Sequence, residues 1–156
     1  ADAALRTAGG RRPLAVGRTL AVDLGSRRVG LAVTDPTNTF ASPLKTLPFR
    51  SDRQLIDEIL SLVQAMEIQT VVVGLPLRED GSEGEGCRRA RSFARRLQGR
   101  GLRATLWDER YTSRDAEQTL REAGLNRRRG MPHVDAVAAS YVLADYLEEC
   151  RKAEGR

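Results

Sequence analysis

The stretch Arg18-Thr19-Leu20-Ala21-Val22-Asp23-Leu24-Gly25-Ser26-Arg27-Arg28-Val29-Gly30-Leu31-Ala32-Val33-Thr34 decides the fold. Its two apolar runs are each short enough to be strands, and Gly25-Ser26 turns one back on the other. Asp35-Pro36-Thr37-Asn38 is a second turn, and a third strand runs from around Phe40 to Leu47, stopped by Pro48. Three strands joined by tight turns predict an antiparallel meander.

Downstream the hydrophobic period changes. Ser51 followed by Gln54 resembles a capping box, and Leu55, Ile56, Ile59, Leu60 and Val63 fall on one helical face. Thr70 to Gly74 carries Val71-Val72-Val73, a β-branched run suited to a strand covered on both faces. The glycine- and proline-rich loop from Leu75 to Gly86 leads into a helix with Ala90, Phe93, Ala94 and Leu97 on its apolar side. Leu102 to Trp107 is a fifth strand. Thr112 or Ser113 caps a further helix ending near Gly124, and Asn126 to Gly130 is a loop. Pro132 opens a final helix to about Glu149, with Val134, Val137, Ala138 and Tyr141 turned inward. The order βββαβαβαα predicts an α/β domain: one mixed five-stranded sheet, a three-strand antiparallel meander plus two parallel strands, flanked by helices.

The chain has 156 residues, the size of one domain. We expect a flexible basic arm over residues 1–17, a folded domain over 18–150 and a short tail over 151–156. Hydrophobic residues at 40% and charged residues at 30% suit a core with a soluble surface. No apolar stretch approaches the ~20 residues that span a bilayer, and residues 1–18 lack the apolar segment of a secretory signal. The expectation is a cytoplasmic protein with no membrane partner. Cys87 and Cys150 are expected to be reduced thiols, and His133 is the single histidine. Cysteine-rich and histidine-rich metal sites are thereby excluded, so carboxylates, hydroxyls or backbone must run any chemistry. The net charge of +5 fits a polyanionic partner and equally an ordinary solvated surface.

Three acidic positions stand out. Asp23 interrupts an apolar strand just before a glycine turn, where a buried carboxylate is costly unless paired or bound to a metal; an Asp there can also simply cap the turn. Asp108 and Glu109 follow the strand ending at Trp107. Adjacent strand residues point to opposite faces, so only one of them can share a site with Asp23. Asp135 lies in the first turn of the last helix, where an acid also serves the helix dipole. Functional groups in open α/β sheets gather at strand ends and neighbouring helix starts. Carboxylates gathered there would take a hard cation, Mg²⁺ or Mn²⁺. Two such ions roughly 3.5–4 Å apart can activate water and stabilise the leaving oxygen of a phosphodiester. Arg88, Arg89, Arg91, Arg95 and Arg96 crowd one helix and Arg127-Arg128-Arg129 form a run; both suit phosphate, or plain solvation.

Val22-Asp23-Leu24-Gly25 with Val29-Gly30-Leu31-Ala32 resembles the first hairpin of the YqgF/RuvX family of RNase H-like nucleases. Val73-Gly74-Leu75-Pro76-Leu77 with Asp80-Gly81-Ser82-Glu83 resembles its second block. Trp107-Asp108-Glu109-Arg110-Tyr111-Thr112-Ser113 is similar to the third, and His133-Val134-Asp135-Ala136-Val137-Ala138-Ala139 to the final helix. Tyr111 stands where many members have an aliphatic residue. The resemblance implies an RNase H-like fold and a hydrolase, a metal-dependent endonuclease of structured nucleic acid. Carried over by position, Asp23, Glu109 and Asp135 would be catalytic and hold Mg²⁺ or Mn²⁺, with Asp108 a possible additional acid. Arg88, Arg89, Arg95, Arg110, Arg127, Arg128 and Arg129 would bind the nucleic acid. Its two proposed roles are 5′-end maturation of pre-16S ribosomal RNA, in a ribosomal context, and resolution of four-way DNA (Holliday) junctions; the first is preferred. Aromatic residues at 4% argue against stacking on many bases and for recognition of backbone shape.

Two rivals of other classes share these features. A sugar-kinase or actin-like ATPase also opens with an Asp-x-Gly hairpin, but it needs two such domains to enclose a nucleotide. A non-catalytic nucleic-acid-binding module would keep the basic helices, yet it gains nothing from clustered negative charge.

Overall fold

The computed structural model describes residues 17–109 and 134–154. The strands are β1 (Arg18–Leu24), β2 (Arg28–Thr34), β3 (Ala41–Pro48), β4 (Ile68–Leu75) and β5 (Ala104–Asp108). The helices among the described residues are α1 (Asp52–Ala65), α2 (Glu85–Gly99) and α3 (Val134–Ala153). The helix expected to start at Thr112 or Ser113, the loop at 126–130 and His133 lie outside the described residues.

The five strands form one sheet in the order β3-β2-β1-β4-β5. β1, β2 and β3 pair antiparallel, and β4 joins β1 and β5 in parallel. This is the expected meander plus two parallel strands. Prolines 43 and 48 fall in β3, at the sheet's edge, where a missing N–H costs least.

Alternation along the strands divides the core in two. Leu20, Val22, Leu31, Val71, Val73 and Leu106 face α1 and α2, where Ile59, Phe93 and Leu97 cover them. Ala21, Ala32, Val72 and Trp107 face α3 and meet Val142, Leu143, Tyr146 and Leu147. The valine triplet is thus covered on both sides, as its composition predicts. Cys87 belongs to the first cluster and Cys150 to the second, so the sheet separates them and both are free thiols.

Local signals act where expected at α1. The Ser51 hydroxyl accepts from Gln54 N at 3.2 Å, and Leu55, Ile56 and Ile59 are buried. Asp35 organises the β2–β3 turn by accepting from the backbone N–H groups of Thr37, Thr39 and Phe40. Those bonds hold its carboxyl well below the usual carboxylate range.

The last helix corrects the reading of its inner face. Ala136, Ala139, Val142, Leu143, Tyr146, Leu147 and Cys150 are its buried residues. Val137, Ala138 and Tyr141 are only half-buried. Two alanines lead the inward stripe because α3 lies close on the sheet. Their small side chains carried little weight against Val137 and Tyr141 when hydrophobicity alone chose the face. Trp107 then fixes the register: its ring meets Tyr146 edge-on at 5.4 Å, and Nε1 donates to Asp145 Oδ2 at 2.8 Å.

Candidate active site

Asp23 stands second from the end of β1, and alternation puts it on the α3 face with Ala21. Its neighbours across the sheet are both glycines. Gly30 of β2 is its antiparallel partner, and Gly74 of β4 follows Val73, the partner of Val22. The row Gly30–Asp23–Gly74 therefore places one carboxylate between two positions without side chains.

Each empty position admits another acid. A Cβ on Gly30 would lie 2.0 Å from the carbonyl oxygen of Asp135, so α3 begins directly against β2. A Cβ on Gly74 would lie 2.4 Å from Glu109 Oε2, so that carboxylate occupies the space above β4. Glu109 is held there by its own N–H, which donates to Leu75 O at 3.2 Å and prolongs the β4–β5 pairing by one residue.

The same alternation separates Asp108 from Glu109. Asp108 pairs in register with Leu75 and lies, fully buried, on the α1/α2 side. Glu109 is two residues beyond Trp107 and shares its α3 face. The structure thus brings Asp23, Glu109 and Asp135 to one face and leaves Asp108 on the other.

Burial, then the charge of Asp135, pushes the Asp23 carboxyl up to about 6. Burial, then the charges of Asp23 and Asp108, pushes Glu109 up to about 8. Both shifts have the same two causes, desolvation and a neighbouring carboxylate. Asp135 meets Arg28 instead, with Nε 3.3 Å from Oδ2. Among the described residues, no three His, Cys, Asp or Glu side chains are grouped as the ligands of an ion. A donor set made only of carboxylate oxygens nevertheless suits a hard cation rather than a soft one.

The arginines divide by what they touch. Arg89 is turned inward: Nη1 donates to Gly25 O at 2.6 Å, and its guanidinium lies 4.4 Å over the Phe49 ring. It locks the β1–β2 turn to α2, a position other than the open nucleic-acid contact expected of it. Arg91 grips Glu83 with two bonds of 2.6 and 2.8 Å, and Arg96 reaches Asp52 of α1 at 3.4 Å. Arg88 and Arg95 are exposed on α2. Arg110, Arg127, Arg128 and Arg129 lie outside the described residues.

Arg28, Gly30 and Gly74 were not singled out as site residues from the sequence. A usable signal existed for the glycines, since glycine inside a strand marks close approach by another group. Arg28 had none, being one exposed arginine among many.

A mixed sheet in this order, with its acids at the β1 end and the α3 start, defines an RNase H-like fold. Thermus thermophilus RuvC, solved in complex with a Holliday junction substrate, shares it: the TM-score is 0.54 at 13% identity, over 90% of this chain and 97% of that one. The chain belongs to the RuvX family, whose model, described as Holliday junction resolvase, matches residues 17–149. A relative from Koribacter versatilis (strain Ellin345), named "Putative pre-16S rRNA nuclease", is 39% identical over 140 residues, 88% of this chain and 92% of its own. One of the same name from Anaeromyxobacter sp. (strain K) is 42% identical over 132 residues, 84% of this chain and 96% of its own.

Proposed function

We propose that this chain is a metal-dependent endonuclease that hydrolyses phosphodiester bonds in structured RNA and matures the 5′ end of pre-16S ribosomal RNA. The observation that carries the reading is the single face shared by Asp23, Glu109 and Asp135, two of whose carboxyls are raised by burial and by the charge of neighbouring acids. A nucleic-acid binder without catalysis would gain nothing from that arrangement. The names of the curated relatives favour ribosomal RNA as substrate.

Asp23, Glu109 and Asp135 would hold Mg²⁺ or Mn²⁺. A bound pair of such ions supplies an acidified water and stabilises charge on the leaving oxygen. The protein's own part is placement. Asp23 is fixed by its strand, Glu109 by the continued β4–β5 pairing and Asp135 by the seating of α3 on Gly30. Arg28 stands exposed at the rim, holding Asp135 through one nitrogen and leaving other N–H donors for a backbone phosphate. Arg88 and Arg95 on α2 would extend the phosphate track.

The test compares a precursor ribosomal RNA 5′ fragment with a four-way DNA junction under Mn²⁺, with Asp23→Asn as control. Cleavage of the RNA fragment that Asp23→Asn abolishes is the expected result. Preferential cutting of the junction would establish the second reading, a Holliday junction resolvase, which the description of the family model favours. Cleavage undiminished in Asp23→Asn would remove the acidic face from the mechanism.

A further inference from the structure

Glycine at position 74 is a cost to the strand that contains it. It sits in a buried parallel strand beside three valines, where a β-branched residue would be expected and where glycine weakens the element. The backbone there is ordinary: Gly74 is absent from the residues with positive φ, which include Gly17, Gly81 and Gly101 among the glycines. Its φ therefore does not account for the missing side chain. What does is the neighbour above it, since a Cβ would come within 2.4 Å of Glu109 Oε2 while its next contact, Glu109 Cδ, would be 3.4 Å away. Backbone is not obstructing, with Val22 O at a comfortable 3.8 Å.

We infer that Gly74 is a positioning residue: its empty face is the seat that lets the Glu109 carboxylate lie beside Asp23. The inference rests on the proposed metal-binding role of that face and adds to it a residue that bears no ligand atom. The geometry makes the role separable from folding. The crowded atom is the far end of a flexible side chain, so an alanine can be accommodated by swinging Glu109 aside. Gly30 contrasts with this, because a Cβ there would meet the backbone of α3, 2.0 Å from Asp135 O. One glycine seats a side chain and the other seats a helix.

The experiment uses the full chain as wild type, Gly74→Ala, Glu109→Asp, the double variant and Asp23→Asn. Mn²⁺ affinity is measured calorimetrically without nucleic acid, and melting is followed in chelator. Gly74→Ala is expected to melt close to wild type and to bind Mn²⁺ at least about tenfold more weakly, as loss of a partner that orients a ligand does. Glu109→Asp withdraws the carboxylate by one methylene, so the double variant should bind Mn²⁺ more tightly than Gly74→Ala alone. Wild-type affinity in Gly74→Ala, or effects of the two substitutions that merely multiply, would overturn the inference. Should Gly74→Ala unfold, the double variant decides: recovered folding locates the clash at Glu109, and continued unfolding removes it. Wild-type protein that binds no Mn²⁺, or binds it equally in Asp23→Asn, defeats the metal reading itself. In that case melting in chelator still tests the seat. Gly74→Ala should then cost less melting temperature in the Glu109→Asp background than in wild type, and an equal cost in both would overturn the inference.

Discussion

The carbonyl oxygen of Asp135 rests against the α-carbon of Gly30, so close that a side chain there would stand 2.0 Å away. The first turn of α3 is thereby set on β2 at the level of Asp23, the residue with which Gly30 is paired. Helix seating and site assembly are one contact.

Gly30→Ala should for this reason be costly in two ways. Overpacking of a closed contact typically costs about 1–3 kcal/mol, and roughly 2–4 °C of melting temperature accompanies each kcal/mol in a domain of this size. Asp135 should also retreat from the sheet, weakening Mn²⁺ binding. Thermal melting and metal titration of the variant check both effects, and a variant indistinguishable from wild type would contradict the contact.

The raised carboxyls make stability depend on pH. Asp23 and Glu109 have ordinary values of 3.8 and 4.5 and sit at about 6 and about 8 in the fold. Between these limits the native state binds more protons than the unfolded chain, so stability falls as pH rises. Their contribution is complete below about pH 4 and is lost progressively up to about pH 8. Melting in chelator from pH 5 to 8.5 should show this decline, and Glu109→Gln should flatten it. Adding Mn²⁺ at pH 8 should restore melting temperature by supplying countercharge.

Asp23 and Asp108 should separate in function although both are acids near strand ends, the first half-buried and the second fully buried. Asp23→Asn is expected to reduce Mn²⁺-dependent cleavage by more than the 10–100-fold typical of losing a partner outside the ligand shell. Asp108→Asn removes an acid on the opposite side of the sheet, so its principal effect should be on melting temperature. Cleavage rates and Mn²⁺ affinities of the two variants, side by side, test the assignment.

The α2 arginines should respond differently to salt. Arg88→Ala and Arg95→Ala should each reduce the slope of log affinity against log salt by about 1, the signature of one lost phosphate contact. Arg89→Met should leave the slope alone and lower stability, because it frees Gly25 O from a charge-assisted bond of about 1.5–3 kcal/mol. A reduced slope for Arg89→Met would place that residue back on the nucleic acid.

Much of the architecture was legible in order of residues. Turn chemistry at Gly25-Ser26 and at Asp35 to Asn38, the capping serine before α1 and the triple valine of β4 are local signals with local causes. They sufficed for the meander, the parallel addition and the two covered faces. The inner stripe of α3 was misread because it depends on what faces it: Ala136 and Ala139 are buried through close approach to β2, a distance that no periodicity encodes. Asp23 was readable too, as an interruption of an apolar strand, Asp108-Glu109 as acids following a strand and Asp135 as a first-turn acid, while the preference for Glu109 over Asp108 came from the family resemblance.

The sequence by itself determined that carboxylates, with a single histidine and two separated cysteines, would carry any chemistry, and that they stand at strand ends and a helix start. Residue type and period are properties of the chain, and they need no partner to be expressed. Only the tertiary structure decided which acids meet. The alternation of β5, fixed by Trp107 packing on α3, turns Glu109 toward Asp23 and Asp108 away. The two glycines flanking Asp23 then admit Glu109 and Asp135 from opposite sides. Those outcomes rest on steric exclusion between segments separated by 35 residues from Gly74 to Glu109 and by 105 from Gly30 to Asp135. Such contacts exist only once the sheet has formed and the helix has closed on it.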